Sequence, residues 1–178
     1  NENLHKYPTE NLEIASKFAM EIKKELADFI LSIVVFGSSA RRETSEKSDI
    51  DVLIISDDAT YVLTEELIEG YKTIIDNLIY KVSTKLHITS MTLTSFWEHA
   101  KAGDPVVVNI LRDGLALEDK GLFFPLQLLL KQGRIRPSEE SVWKYFSRAP
   151  RTLVNSRWRV LQATLDLYWA VIDSAHAA

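Results

Sequence analysis

The 178-residue sequence contains no cysteine, which excludes disulfide bonds and thiolate metal sites. No apolar run approaches the roughly 20 residues that a membrane-spanning helix needs. The opening segment Asn1–Lys6 also lacks the apolar core of a signal peptide. Hydrophobic residues make up 46% of the chain and charged residues 26%, a balance that excludes disordered and fibrous classes. These features predict a globular cytoplasmic protein with no membrane partner, built as one domain or as a compact domain with a helical appendage.

Apolar periodicity and turn residues predict an α/β fold. Strands are expected over four segments: Ser32–Phe36, Asp49–Ser56, Lys85–Leu93 and, as a short strand, Leu115–Glu118. Helices are expected from a start that Thr9 caps, over Tyr61–Lys81, from Thr94, from Asp104 to Gly114, and over Gly121–Lys131. The result is a mixed sheet of about three to five strands flanked by helices.

The character of the chain changes at Gly133–Pro137, which we take as the boundary between a core of residues 1–133 and a helical C-terminal segment of residues 134–178. One helix is predicted to begin at Ser138 and a second at Pro150, since proline suits a first helical turn. The second helix carries an a/d seam of apolar residues: Val154, Trp158, Leu161, Leu165, Tyr168, Ile172 and Ala175. Such a seam needs a partner helix. We therefore expect that the natural chain continues past residue 178, or that another chain, including a second copy, completes the packing.

Charge is unevenly distributed along the chain. Residues 1–130 carry a net charge of −8 and residues 131–178 a net charge of +4, with every basic residue of the second part between Lys131 and Arg159. Two interpretations stay open: a solvated helical face, or a contact surface for an acidic partner or nucleic acid. No aromatic-interleaved RNA-binding motif accompanies these charges, so nucleic-acid binding is not favoured.

Asp49 and Asp51 stand at the start of the second predicted strand. Side chains two residues apart on a strand point to the same face, and two carboxylates held so close repel each other. A divalent cation removes that cost. Mg²⁺ is the natural choice, because it takes hard oxygen ligands and completes its coordination with water and substrate phosphates. The alternative, which an isolated Asp-x-Asp would favour, is a solvated acidic strand end.

Gly37 and Ser38 follow the first predicted strand. A glycine there lets the backbone approach a ligand. The hydroxyl and N–H of Ser38, followed by a helical turn, can form an anion site. Gly-Ser alone is a common turn, but Gly-Ser-x10-Asp-x-Asp is expected by chance in only roughly a few per thousand chains of this size. The combination indicates a site for a metal ion and phosphates.

The segment from Phe36 to Ile54 resembles the signature of the polymerase β-type nucleotidyltransferases, particularly their minimal prokaryotic members. A broader resemblance to archaeal members extends through Leu93–Glu98, Gly103–Pro105 and Leu111–Gly114. The last helix resembles the start of the helical HEPN domain that often accompanies these enzymes. The residues given contain no Arg-x(4–6)-His ribonuclease motif. The resemblance implies a mixed-sheet nucleotidyltransferase core followed by a helical part.

The resemblance also implies a mechanism. Asp49 and Asp51 would hold Mg²⁺ against the phosphates of ATP or another nucleoside triphosphate. Ser38 and nearby backbone N–H groups would bind the β- and γ-phosphates, with Gly37 leaving space for them. Arg41 or Arg42 would neutralise phosphate charge. An acceptor hydroxyl would attack the α-phosphorus in line, and pyrophosphate would leave, so that catalysis is mostly positioning and charge stabilisation.

One departure from the family concerns a third carboxylate, expected on the neighbouring strand near Leu86–Thr89. His87 occupies that place, and the strand has no Asp or Glu. A neutral imidazole can bind a metal or accept a proton, although it suits Mg²⁺ poorly. The simpler interpretation is a partly buried strand histidine. Three options follow: a one-metal enzyme, a carboxylate from elsewhere such as Glu98, or a domain that binds nucleotide without turning it over.

The leading hypothesis is an enzyme that moves a nucleoside monophosphate, AMP from ATP in its concrete form, onto an acceptor hydroxyl. The acceptor would be a small molecule or a protein, such as a HEPN-type toxin that the enzyme modifies as an antitoxin. The alternative is a catalytically idle nucleotide-binding module of the same fold, which works through its helical seam as a dimer or with a helical partner. A weaker third hypothesis is a nucleic-acid end modifier that uses the basic segment.

Overall fold

A computed structural model describes residues 3–37 and 49–176, without the side chains of residues 149, 171 and 173–176. Ser38, Arg41 and Arg42, which the sequence assigned to phosphate binding, lie outside the described residues. The chain separates into two compact units, Asn1–Pro137 and Ser138–Ala178. That residues 1–133 form a domain of their own stays a prediction.

The first unit is built on four strands: β1 (Ile30–Phe36), β2 (Ile50–Ser56), β3 (Leu86–Thr92) and β4 (Leu115–Asp119). Their order in the sheet is β3-β2-β1-β4, with β1 antiparallel to β2 and β4, and β2 parallel to β3. The predicted α/β fold with a mixed sheet is confirmed. β1 and β2 are the central strands, which explains why both are nearly continuous runs of β-branched and aliphatic residues.

The described part of this unit has a 3-10 helix (Leu4–Lys6) and five α-helices: α1 (Thr9–Leu26), α2 (Glu65–Val82), α3 (Leu93–Lys101), α4 (Pro105–Asp113) and α5 (Phe123–Lys131). The predicted cap at Thr9 is wrong, because Pro8 occupies the N-cap position and makes no side-chain hydrogen bond. The predicted start of α2 at Tyr61 is also wrong. The hydroxyl of Thr64 accepts a hydrogen bond from the N–H of Leu67 at 3.2 Å and starts the helix there.

The core lies on both faces of the sheet. Alternate residues of β2 enter different clusters: Val52 and Ile54 pack on the side of α1 and α2, while Leu53 and Ile55 pack on the side of α3, α4 and α5. Asp51 has the same parity as Leu53 and therefore faces the α3–α5 side. The sheet thus carries its acidic strand start on the face that these three helices cover.

Asp119, at the end of β4, acts as the cap of α5. Its carboxylate accepts hydrogen bonds from the hydroxyl of the fully buried Ser32 at 2.6 Å and from the N–H groups of Leu122, Phe123 and Phe124. Burial raises the pKa of this carboxyl, but the four hydrogen bonds outweigh burial and hold the pKa below its usual value.

Asp119→Ala is expected to lower the free energy of unfolding by about 2–3 kcal/mol at neutral pH, because a helix cap is lost and the Ser32 hydroxyl is left buried without its acceptor. The depressed pKa makes this contribution fully present above the unfolded-state pKa of about 4 and progressively lost as pH falls through the lower folded-state pKa. Urea unfolding at pH 7 and below pH 4 measures the difference in the free energy of unfolding between Asp119→Ala and wild type. This difference should be smaller in acid. The exposed Asp28→Ala is the control, expected to shift stability by less than about 0.5 kcal/mol at either pH. An equal gap at both pH values would contradict the assignment.

The second unit is one helix, α6 (Glu139–His176), with Pro150 inside it. The prediction of two helices divided at Pro150 is therefore wrong. A proline removes one main-chain hydrogen bond but does not by itself end a long helix. The hydroxyl of Thr152 donates to the carbonyl of Arg148 at 3.1 Å across the proline. The part of the predicted seam from Val154 to Tyr168 is exposed on this helix, with Trp158 67% exposed and Leu165 46% exposed.

Among the described helices, none combines the length and apolar character that crossing a bilayer requires.

Candidate active site

The end of β1 and the start of β2 bring Gly37 and Asp51 into contact. Phe36 is paired with Asp51 across the two antiparallel strands, and Gly37 follows it with φ +93°. An ideal Cβ on Gly37 would overlap Oδ2 of Asp51 and lie 2.9 Å from its Cγ. Glycine is therefore required twice over, by the positive φ and by the carboxylate that fills the space of its missing side chain. The sequence analysis attributed the space beside Gly37 to an approaching ligand, but the Asp51 carboxylate occupies that space.

The two aspartates differ in their surroundings. Asp49 is exposed and comes directly before β2, whereas the side chain of Asp51, within β2, is 24% exposed. The Asp51 carboxylate is thus held by the sheet and by Gly37, while the Asp49 carboxylate lies exposed just before β2. Two hard oxygen donors in this arrangement are chemically suited to Mg²⁺, which commonly binds one or two carboxylates and takes its remaining ligands from water and substrate phosphates.

His87 is the neighbour of Asp51 on β3. The two residues pair across the parallel strands, and Nδ1 of His87 lies 3.0 Å from Oδ1 of Asp51. Because an ionised carboxylate only accepts, the imidazole donates in this contact. The side chain of His87 is 69% exposed, so the interpretation as a partly buried strand histidine is wrong. The reason is that β3 is the outer strand of the sheet.

A third carboxylate is not supplied by the described part of the chain. Within residues 3–37 and 49–176, no group of three or more His, Asp or Glu side chains comes together to hold a metal ion. Glu98, suggested from the sequence as a substitute, therefore does not join Asp49 and Asp51 in such a group.

A cavity of about 200 Å³ adjoins Gly37. Its lining comes from the end of β1 and from one side of α4: Phe36, Gly37, Val106, Asn109, Ile110 and Asp113. The sequence indicated only that Arg112–Gly114 ends a helix, and so missed Asn109 and Asp113 as residues beside the site. No local sequence pattern indicates that α4 lies beside Gly37, because the two are brought together by tertiary packing.

Tyr7 fixes the wall of this cavity. Its buried hydroxyl lies 3.0 Å from the carbonyl oxygen of Val35 and 2.8 Å from that of Asp113, and the two carbonyls share its single proton. Burial raises the pKa of Tyr7, and the charges of Asp113 and Asp51 raise it further. Tyr7 therefore stays neutral and joins the end of β1 to the end of α4.

The Asp113 carboxylate belongs to the same wall. It lies 3.0 Å from Nζ of Lys6 and 2.7 Å from a guanidinium nitrogen of Arg112. The hydrogen bond from Arg112 lowers the pKa of Asp113; burial opposes that effect, and Lys6 adds to it. The residue is held ionised beside the cavity.

The mixed sheet, the glycine after β1 and the Asp-x-Asp at the start of β2 agree with the nucleotidyltransferase core that the sequence predicted. The chain belongs to the nucleotidyltransferase domain family, whose model matches residues 16–114, more than half of its length. The match spans Gly37, both aspartates and the whole of β3. The resemblance inferred from Phe36–Ile54 is thereby confirmed at the level of the family.

Two kinds of relative are similar to this chain. MJ1305 of Methanocaldococcus jannaschii, named as a candidate protein adenylyltransferase, is 28% identical over 142 residues, which cover 74% of this chain and 91% of that protein. Among solved structures, a toxin–antitoxin with AMP-PNP is 12% identical with a TM-score of 0.42, covering 79% of this chain and 96% of its own. The toxin–antitoxin MntA-HepT is 11% identical with a TM-score of 0.40, covering 81% and 97% respectively.

Proposed function

We propose that this nucleotidyltransferase moves AMP from ATP onto a hydroxyl group of a protein, with Mg²⁺ held by Asp49 and Asp51. The observation that supports the proposal is the fit of the Asp51 carboxylate against Gly37, in the space that a side chain at Gly37 would fill. The choice of AMP and of a protein acceptor is supported by the name of the archaeal relative, with which the chain shares 28% identity.

Five residues take part in the proposed reaction. Asp49 and Asp51 provide oxygen ligands at the start of β2, and Gly37 leaves the space that Asp51 needs. Ser38 and Arg41 bind the β- and γ-phosphates. When bound, Mg²⁺ supplies positive charge to the phosphate oxygens and orients the triphosphate. A bond forms between the acceptor oxygen and the α-phosphorus, the bond to the bridging oxygen breaks, pyrophosphate leaves with that electron pair, and the hydroxyl proton passes to solvent.

The acceptor protein in this proposal is a HEPN-type toxin, and the enzyme acts as its antitoxin. The exposed seam of α6 supports a helical partner, because a helix with a continuous apolar stripe is stabilised mainly by packing that stripe. A homodimer through the same seam is the competing arrangement. Sedimentation of the chain alone and after mixing with a HEPN-domain protein separates the two.

Isothermal titration of Mg²⁺–ATP and of the other nucleoside triphosphates tests the nucleotide part of the proposal. We expect binding that requires Mg²⁺ and favours ATP. Mixing with α-labelled ATP should then transfer label to a protein acceptor, while γ-labelled ATP should transfer none, because the γ-phosphate leaves with pyrophosphate. Binding that is indifferent to Mg²⁺, or label that arrives from the γ position, would contradict it.

An idle nucleotide-binding module is the second candidate. It is favoured by His87, which stands beside Asp51 where the family carries a third carboxylate. This candidate shares the Mg²⁺–ATP binding but predicts that no pyrophosphate is released, even with water as the acceptor. Pyrophosphate release by wild type above the background of a heat-inactivated sample would exclude this candidate.

A further inference from the structure

Within residues 3–37 and 49–176, one edge of β3 pairs with no other strand, and this free edge lies beside the candidate active site. Among the described residues β3 pairs only with β2, as the outer strand of the sheet. The N–H of Ile50 donates to the carbonyl of Lys85 at 2.7 Å, which sets the parallel ladder. Residues of odd number on β3 therefore turn their N–H and C=O groups toward β2, and Ile88 and Ser90 turn theirs outward. The outward groups form a template for one more strand.

A groove runs along this edge, between β3 and α2, with a volume of about 390 Å³. Its floor is apolar and is made by Ile75, Ile79, Leu86 and Ile88. Polar groups stand at its rim: Tyr71, Lys72, Asp76, His87 and Ser90. The hydroxyls of Tyr71 and Ser90 lie 2.6 Å apart. An apolar floor with a polar rim suits a segment whose side chains alternate in character, as those of an extended peptide do.

The parallel pairing of β2 and β3 places the start of both strands at one end of the sheet. Asp51 and His87 are paired there, and the groove includes His87. A strand added to β3 would lie roughly 5 Å beyond it. Half of its side chains would enter the groove on the α2 side. The other half would lie on the face of the sheet that carries Asp51, level with Asp51 along the strand direction.

We propose that the acceptor of the transfer reaction is an extended peptide segment that adds to the free edge of β3 and presents its hydroxyl side chain toward Asp51. The inference rests on the proposed nucleotidyl transfer and specifies its substrate. Main-chain hydrogen bonds to Ile88 and Ser90 align the segment, and the groove binds its alternate side chains. The hydroxyl oxygen then forms a bond to the α-phosphorus, pyrophosphate leaves, and the hydroxyl proton passes to solvent.

The edge is tested by Ser90→Pro with Ser90→Ala as its matched variant. Proline removes the outward N–H without removing any group that faces β2. Alanine also loses the hydroxyl near Tyr71 but keeps the N–H. With α-labelled ATP and a mixture of ten-residue peptides that carry one central tyrosine, serine or threonine, Ser90→Pro should lose at least about tenfold in peptide labelling. Ser90→Ala should lose less than about threefold. Equal losses in the two variants would overturn the proposal.

Backbone methylation of the peptide tests the same point on the unaltered protein. The best-labelled peptide is made in two forms, with N-methyl groups on alternate residues of one parity or of the other. One form should lose labelling by at least about tenfold and the other should keep it, since only one set of N–H groups faces β3. Hydrogen exchange should show protection of the Ile88 and Ser90 amides when the unmethylated peptide binds. Equal labelling of both forms, unprotected amides, or label found only on small molecules would overturn the inference.

Pyrophosphate release with water as the acceptor separates this inference from the proposed function. If wild type releases pyrophosphate but no peptide is labelled, the peptide acceptor is wrong and nucleotidyl transfer stands. If neither pyrophosphate release nor Mg²⁺–ATP binding is found, the proposed function itself is wrong, and exchange protection at Ile88 and Ser90 in the presence of the peptide mixture still reports whether the edge binds peptides.

Discussion

Asp51→Asn is expected to reduce nucleotidyl transfer by on the order of 10³-fold, about 4 kcal/mol of transition-state stabilisation, and Asp49→Asn by a somewhat smaller factor. An amide keeps the size of each side chain but removes the charge that a divalent cation needs. The loss at Asp51 should be the larger, because its carboxylate is the one that β2 and Gly37 hold in place.

The measurement is pyrophosphate release at saturating ATP over a range of Mg²⁺ concentrations. Glu66→Gln, which removes an exposed carboxylate in the first turn of α2, is the matched control and should leave the rate within about twofold of wild type. Folding should survive both aspartate substitutions, since each removes one of two carboxylates that repel each other. Wild-type rates in Asp51→Asn would show that this carboxylate does not bind the metal.

Gly37→Ala is expected to impair both stability and activity. The new methyl group would need a positive φ and would overlap the Asp51 carboxylate, so either the turn or the aspartate must move. We expect a loss of about 1–3 kcal/mol in the free energy of unfolding, the usual range for such backbone strain. Transfer should fall by on the order of 10²-fold, because a displaced carboxylate no longer meets the substrate in the reactive geometry.

Gly70→Ala provides a control of opposite sign. Gly70 lies within α2, where an added Cβ would meet nothing within 4 Å. Alanine there should raise the free energy of unfolding by about 0.5–1 kcal/mol through its higher helix propensity and leave transfer unchanged. Thermal unfolding and pyrophosphate release on the two variants form the test. If Gly37→Ala were as active as Gly70→Ala, the contact between Gly37 and Asp51 would be without consequence for the site.

The sequence predicted the strands and helices of the first unit well because their signals are local. β-branched runs marked β1 and β2, and the acid-proline pair at Asp104 marked the start of α4, where the carboxylate accepts from two N–H groups. Predictions failed where two local signals competed. Thr64 rather than Tyr61 starts α2, and α6 passes through Pro150 because a proline weakens a helix by one hydrogen bond without dictating its end.

The candidate site was predicted as a set of residue types and only partly as an arrangement. Asp49, Asp51 and Gly37 were singled out because hard oxygen donors and a turn glycine at that spacing imply a metal ion and a phosphate. The role of Gly37 as the space for Asp51 was missed, since contacts between residues 14 positions apart are not encoded in any periodicity. Tyr7 was missed for the same reason: its partners Val35 and Asp113 are remote in sequence.

By itself the sequence determined which elements form and which chemical groups stand at their ends, because both follow from neighbouring residues: helix caps, alternation along strands, and aspartates at the start of β2. Only the tertiary structure decided which strands are neighbours. The parallel pairing of β3 with β2 puts His87 beside Asp51, and no other described strand pairs with β3. The tertiary structure also places α4 beside Gly37. Strand order depends on burying both faces of the sheet at once, which is a property of long-range packing that no local pattern carries.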